Sequence, residues 1–442
     1  LIYRRLYRSL DHTLLLAAAA VIVFGLIVIG SAKVSFSDQS FIQLTRLGFF
    51  MRLLHLDYGY VGRQFLWVVL GVAAMAVTMY IPYEDICKHS RALYVLNLIM
   101  LAAVLFAGHS AMGAQRWIGF GPVKFQPSEF SKLLMIITLA NFLALREGRL
   151  NRLRDLLPAF VFVGVPMLLV LKQPDLGTSM VFVAILFGML FFAGARPGLL
   201  LGLLGIGTVL IIGLFMVHGY LYNTDANLEK QLMTLEQQKK AATTVAARQQ
   251  LEKQYDQTAG QYRVAHHRLD LFYKYTLKEY QIKRLTIFRD PQTDLMGDGY
   301  NIWQSLIAVG SGGMLGKGLL EGTQSHLTFL PERHTDFIFS VVGEEFGFLG
   351  ALFLLVLFLI ILYRGVQIAA SARDSLGLLL ATGIISMFAF HVFVNVGMTT
   401  GIMPVTGIPL PLFSYGGSNM IMNLAALGLL MNVYIHRKQI LF

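Results

Sequence analysis

The stretch FLPERHTDFIFSVVGEEFG, residues 329 to 347, sets Pro-Glu-Arg-His-Thr-Asp against an apolar run and then places two adjacent glutamates inside that run. In hydrocarbon a charged side chain costs at least about 2.5 to 3.5 kcal/mol at mid-depth, so ionisable residues there mark function by default. Asp336 stands where the polar residues enter the run, with Glu332, Arg333 and His334 close by. Two roles fit it. One is a helix N-cap, worth about 1 kcal/mol; the other is a carboxylate half-sheltered by apolar walls, whose raised pKa suits a general base. Glu344 and Glu345 lie roughly 12 to 13 Å deeper along a helix and about 100° apart around it. At least one must face the bundle interior or a wet cavity. Pairing with Lys132 or another buried base would offset part of the desolvation cost.

Three more clusters carry polar residues at apolar boundaries. GAQRWIGFGPVKFQPSEFSKLLMI contains Arg116, Trp117, Ser128, Glu129 and Lys132. Ser128 reads as an N-cap, and Glu129 and Lys132 have the spacing of an i,i+3 pair. The apolar run that follows is too short to span unless both lie within the bilayer, where Lys132 is a counter-ion for a glutamate or a lipid phosphate. Arg116 and Trp117 also fit an interfacial anchor. LKQPDLGTS holds Lys172, Gln173 and Asp175 in turn chemistry. GIMPVTGIPLPLFSYGGSN surrounds Ser414 and Tyr415 with prolines and glycines, so it reads as a broken-helix loop lining an outer cavity, with backbone amides able to hold an anion. There is no Walker loop, HExxH, GxSxG or CxxC, which argues against nucleotide hydrolysis, zinc chemistry and serine hydrolysis. No metal-ligand set is readable, and the lone Cys87 reads as inert packing.

The elements that must position these residues are membrane helices. Of 442 residues 56% are hydrophobic and only 14% charged, and the mean hydropathy is +0.62. This is the composition of a polytopic membrane protein. Apolar runs at Leu14–Ala32, Phe65–Ile81, Leu93–Ala107, Leu133–Leu145, Leu157–Leu171, Met180–Ala195, Leu199–Val217, Phe337–Tyr363, Leu376–Met398 and Met420–Ile435 predict ten helices in an all-α fold. The fourth is short unless it begins near Glu129. The first follows LIYRRLYRSLDHT and is long enough to span, so it is not a cleavable signal peptide; Leu1 in place of Met suggests a trimmed chain.

A net charge of +11 could suggest nucleic acid, but the basic residues lie between the apolar runs rather than in one tract. Arg4, Arg5, Arg8, Lys88, Arg91, Arg146, Arg149, Arg152, Arg154, Arg364, Arg373, Arg437 and Lys438 all fall on one side, which the positive-inside rule makes cytoplasmic. Both termini are therefore expected inside. The long segment from His218 to Thr335 and the stretch Thr399–Gly416 are expected outside.

The chain thus divides into residues 1–217 with seven helices, a large outer loop at 218–336, and residues 337–442 with three helices. Within the loop, 224–278 is a helical insert. Leu251, Tyr255, Thr258, Tyr262, Ala265, Leu269 and Phe272 form a heptad seam, while Leu228, Leu232 and Leu235 start a similar one whose phase does not carry through. A long helix with a phase slip or a helical hairpin fits, serving as a solvated spacer or a docking surface. Residues 279–336 are Gly-rich and read as turns and half-helices folding back over the outer mouth.

The motifs GAQRWI with QPSEFSK, KQPDLGTS, GYNIWQSLIAVGSGGMLGKGL, GTQSHLTFLPERHTDFIFSVVGEEFG and NVGMTTGIMPVTGIPLPLFSYGGS, with the ten-helix plan, resemble the SEDS family (shape, elongation, division and sporulation), its RodA branch more closely than its FtsW branch. The resemblance covers nearly the whole chain except about residues 224 to 276. It implies a peptidoglycan glycosyltransferase of the bacterial plasma membrane with its active site on the outer face. The GlcNAc 4-hydroxyl of one lipid II attacks the MurNAc anomeric carbon of another with inversion, and undecaprenyl pyrophosphate leaves. By resemblance Asp336 is the essential residue and fits the base, and Trp117 is functionally important. Arg116, Lys132, Glu129, Arg333 and Ser414 are candidates for substrate contact, and Glu344, Glu345, Lys172 and Asp175 for support. A class B penicillin-binding protein and the elongation machinery are the implied partners. The resemblance implies no definite cofactor; a divalent cation such as Mg2+ could assist the leaving group. A flippase for lipid-linked precursors and a scaffold for the elongation machinery are the competing readings.

Overall fold

The computed structural model describes residues 10–34, 48–107, 109–111, 114–120, 123–276, 279–288, 298–326 and 331–437. Arg4, Arg5, Arg8 and Lys438, used in the sequence reading, lie outside these. The described helices are α1 (His12–Lys33), α2 (Phe49–Leu53), α3 (Tyr58–Tyr80), α4 (Tyr83–Lys88), α5 (Ser90–Ala107), α6 (Pro127–Ala144), α7 (Leu153–Lys172), α8 (Leu176–Phe192), α9 (Pro197–Ala241), α10 (Val245–Tyr275), α11 (Glu279–Ile287), α12 (Asp298–Ser311), α13 (Thr323–His326), α14 (Ile338–Ala370), α15 (Ser375–Thr399) and α16 (Gly417–Ile435). Each of the ten apolar runs falls on a helix. Seven of these helices (α1, α3, α7, α9, α14, α15 and α16) are long and apolar enough to cross a membrane, while α5 and α8 are shorter apolar helices. The fold is nearly all-helical rather than all-α: β1 (His109–Ala111), β2 (Ala114–Phe120) and β3 (Val123–Phe125) form a small antiparallel sheet between α5 and α6.

The chain divides into two compact units, Gly198–Thr286 and the remainder. In the larger unit α3 packs tightly on α16: a methyl group at Gly71 would lie 2.5 Å from Leu424, and the Asn432 amide donates to the carbonyls of Thr78, Met79 and Ile81 at the end of α3. These carbonyls have no partner within their own helix, which is why a polar residue is kept at this buried position. The connections assigned to the basic side meet at one end, where Tyr83 donates to Asp374, Ser375 to Glu147, and Arg364 to Asp11. Cys87 is buried there, which pushes its thiol up to about 12 and fits inert packing. The connections assigned to the outer side meet at the other end, as the next subsection describes.

The smaller unit is a helical hairpin. On α9 the less exposed positions include His218, Leu221, Asp225, Leu228, Leu232, Leu235 and Lys239, and on α10 they include the seven seam residues expected above. Alternating three- and four-residue spacing on both helices makes two facing seams. His218 meets Tyr273 at 3.1 Å and Lys239 meets Glu252 at 2.8 Å, so the strands of the hairpin run antiparallel. The break in phase is the turn at 242–244. The helix α9 passes through Val217 without interruption, so the outer segment expected from residue 218 begins within a helix.

Candidate functional site

The outer end is organised by one interruption. Helix α14 breaks at Gly347, with φ 63° and ψ −160°, a backbone region open essentially to glycine. The loop after α12 fills the break. Lys317 and Gly318 amides donate to the carbonyls of Glu344 and Glu345 at 3.0 and 2.9 Å, while Phe348 and Leu349 amides donate to Gly313 and Met314 carbonyls at 2.9 and 3.1 Å. The backbone groups freed by the break are thereby satisfied, the condition for irregular backbone at membrane depth. The approach is close enough that a methyl group at Gly316 would lie 2.2 Å from the Glu345 carbonyl oxygen.

Both glutamates are fully buried, and each ties a different segment to α14. Glu344 accepts from Lys317 Nζ at 2.8 Å, from the Gln324 amide at 2.9 Å and from the Thr323 hydroxyl at 3.3 Å. Glu345 accepts from Ser31 of α1 at 2.5 Å. Its charge also supports the Arg333 guanidinium, which burial disfavours and which donates to the Ala32 carbonyl. The base paired with Glu344 is the partly exposed Lys317, not Lys132. All three Lys132 ammonium protons are engaged elsewhere: two with Glu129, at 2.9 Å to each oxygen, and one directed at His391 Nε2 at 3.0 Å.

Asp336 lies in the turn at 331–337 that leads into α14. It is not the cap: the N-cap position falls on Phe337, and no side chain caps this helix. Its backbone carbonyl accepts from the Asn395 amide at 2.9 Å, and the same amide donates to Ile408 at 2.8 Å. Its carboxylate faces the chain at Gly407, where a methyl group would lie 3.3 Å from Oδ2 and φ is 73°. The proline-containing loop is fastened to this turn again by Ser414, whose hydroxyl donates to the Thr335 carbonyl at 2.7 Å, and by the Tyr415 amide, which donates to the His334 carbonyl at 3.0 Å. His334, Tyr60 and Tyr415 cluster with ring centroids 5.4 to 6.0 Å apart, and Lys33 lies 4.6 Å over the Tyr60 ring. Burial, assisted by Lys33 and Arg333, pushes the His334 pKa down to about 4, so this imidazole is neutral at pH 7 and adds no positive charge beside Asp336.

The remaining candidates form a second group. Arg116 on β2 donates to the carbonyls of Gln173 and Pro174, which fixes the sheet to the turn before α8. Asp175 N-caps α8 through the Thr178 amide at 3.1 Å and accepts from Ser128 at 3.2 Å. Ser128 is not an N-cap; Gln126 holds that position because Pro127 at the first helical position starts α6 two residues early. Trp117 is half-buried on β2, and Lys172 is exposed at the end of α7. The two groups are joined along α15, whose His391, Asn395 and Thr399 are fully buried and one turn apart. His391 and Asn395 were missed in the sequence, although polar residues inside the Leu376–Met398 run carry the same signal that marked Glu344. Among the described residues no three His, Cys, Asp or Glu side chains converge as metal ligands do.

The chain matches the family model of cell cycle proteins named for FtsW, RodA and SpoVE over residues 11–244 and 264–439. It is 35% identical over 431 residues to the peptidoglycan glycosyltransferase MrdB of Escherichia coli K12, covering 98% of this chain and 95% of that one. It is 34% identical over 428 residues to the stage V sporulation protein E of Bacillus subtilis, covering 96% and 97%. Among solved structures, one described as structural coordination of polymerization and crosslinking by a peptidoglycan synthase complex superposes with a TM-score of 0.67 at 28% identity, covering 96% of this chain and 97% of that one. The rod shape determining protein RodA of Thermus thermophilus superposes with a TM-score of 0.59 at 25% identity, covering 97% and 98%.

Proposed function

The chain belongs to the FtsW, RodA and SpoVE family of cell cycle proteins, and on that premise we propose that it is a membrane-embedded peptidoglycan glycosyltransferase that polymerises lipid II during cell-wall elongation. The observation that carries the mechanism is Asp336: a carboxylate at a helix entrance that does not cap the helix and whose backbone is clamped by Asn395. In the reaction, the Asp336 carboxylate takes the proton of the acceptor GlcNAc 4-hydroxyl as its oxygen bonds to the donor MurNAc C1. The C1–O bond to pyrophosphate breaks, its electron pair leaves with undecaprenyl pyrophosphate, and the anomeric centre inverts. A base positioned this way contributes roughly 10² to 10⁴ in rate.

Half-buried Trp117 is assigned the substrate-facing place on the sheet. Arg116, Glu129, Lys132, Arg333 and Ser414 have polar atoms bonded within the protein, so they are assigned to the walls of the cavity, together with Glu344, Glu345 and Asp175; exposed Lys172 is left to solvent. In this reading ten helices cross the bilayer, both termini are cytoplasmic and the Asp336 end is outside. The separation of the two families of connections to opposite ends supports that orientation. The synthase complex among the structural neighbours supports a class B penicillin-binding protein as partner.

The test is product formation by the purified chain from lipid II in detergent, where sidedness is abolished. Glycan strands should appear without any partner-derived polymerase. A chain that only translocates lipid-linked precursors would make none.

A further inference from the structure

At the basic end of the larger unit, far along α5, α6 and α7 from the Asp336 turn, lies an open groove of about 400 Å³ lined by Tyr94, Phe142, Leu157, Pro158, Val161 and Phe162. Its floor is built. The Phe162 ring stacks on both Tyr94 and Phe142, with centroids 4.1 and 4.7 Å away, and the Tyr94 hydroxyl donates to the Phe162 carbonyl at 2.8 Å. Its walls are uncovered: Leu157 and Val161 are 61% and 58% exposed.

Helices α5 and α7 each carry an arginine one turn before a groove residue, and the turn just after α6 carries a third, toward the same end. Arg91 precedes Tyr94 on α5, Arg154 precedes Leu157 and Pro158 on α7, and Arg146 lies in the turn after α6, four residues beyond Phe142. The Arg146 guanidinium stacks 3.7 Å over the Phe142 ring. None of the three is in an ion pair among the described residues, and the neighbouring carboxylates are engaged: Glu147 with Ser375 and Asp155 with the Arg152 amide.

An apolar groove bordered at one end by three arginines matches a lipid whose headgroup is anionic. We infer that this groove binds one anionic phospholipid, with an acyl chain against the Tyr94–Phe162–Phe142 floor and the phosphate among Arg91, Arg146 and Arg154. A zwitterionic lipid offers the same chain but brings an ammonium group that the arginines repel, and free phosphate lacks the chain. The site lies in the leaflet that the proposed orientation makes cytoplasmic, although its binding chemistry does not depend on the polymerase reading.

The experiment is native mass spectrometry of the full chain titrated with phosphatidylglycerol or with phosphatidylethanolamine of identical acyl chains. One phosphatidylglycerol should be retained at least tenfold more tightly than phosphatidylethanolamine. Replacing Arg91, Arg146 and Arg154 together by Gln should abolish that preference. Val161→Trp fills the groove from an exposed position with all arginines intact, and it should weaken retention of the first phosphatidylglycerol at least tenfold. Equal retention of the two lipids by the unaltered chain overturns the proposal. So does unaltered retention by Val161→Trp, which would reveal a diffuse basic surface with no seat for a chain.

Discussion

The Asn395 side chain holds the backbone carbonyls of Asp336 and Ile408 with one amide group, at 2.9 and 2.8 Å. It thereby fixes the turn that carries the proposed base to the proline-containing loop that faces it. Both partners belong to irregular chain, whereas Asn395 belongs to α15, a rigid element packed on its neighbours. Asn395→Leu should leave these carbonyls without their donor, costing about 1–3 kcal/mol, and release the turn. Glycan synthesis by this variant should fall through kcat more than through KM, because Asn395 positions Asp336 and does not touch substrate. A KM change alone would contradict the positioning role.

The pairing of Glu344 with Lys317 makes a prediction about stability. Glu344 is fully buried and Lys317 is partly exposed. Removing one partner of a buried pair costs about 3–5 kcal/mol, and partial exposure moves the expectation to the low end. Lys317→Met should therefore lower Tm by several degrees, and adding Glu344→Gln should restore part of the loss, since the second change removes the stranded charge. Additive losses in the double variant would show that the two side chains are not coupled.

His334 supplies a pH dependence. Its folded pKa, about 4, lies below the value of about 6.5 for an unfolded chain. Between these values the unfolded chain binds a proton that the folded chain does not. The contribution is therefore complete above about pH 6.5 and is lost as pH falls toward 4. Thermal unfolding measured from pH 8 to pH 4 should show a loss in the native chain that His334→Asn reduces. Parallel curves for the two proteins would place the pH sensitivity elsewhere.

The parts of this molecule legible in its sequence were those recorded by periodicity. Apolar runs gave the helices, and the 251–272 seam named the inward face of α10. The matching seam on α9 looked out of phase only because the turn at 242–244 reverses the chain. The ion pairing was less legible: Lys317 and Glu344 are 27 residues apart, and only a helix break filled by a glycine loop brings them together. The same break explains why two adjacent glutamates are tolerated in an apolar run, since each finds a donor on a different segment. Capping was misplaced at Ser128 by two residues, and at Asp336, where a cap was one of two open roles, the N-cap position falls one residue later. Pro127 moved the first helix start, and the hydrogen-bonded turn through Glu332 and Phe337 moved the second. The strands of the sheet that carries Trp117 are three to seven residues long, too short for an alternation to register.

The central claim is that Asp336 accepts the acceptor hydroxyl proton and does not cap the helix it precedes. Asp336→Asn keeps the size and the backbone bonds of the residue and removes its basicity. Glycan synthesis from lipid II in detergent and thermal unfolding should be measured on the same preparation. The account expects synthesis to fall by roughly 10² or more with Tm within about 2 °C of the unaltered chain. Near-normal synthesis would contradict it, as would a loss of synthesis that is matched by a collapse of Tm.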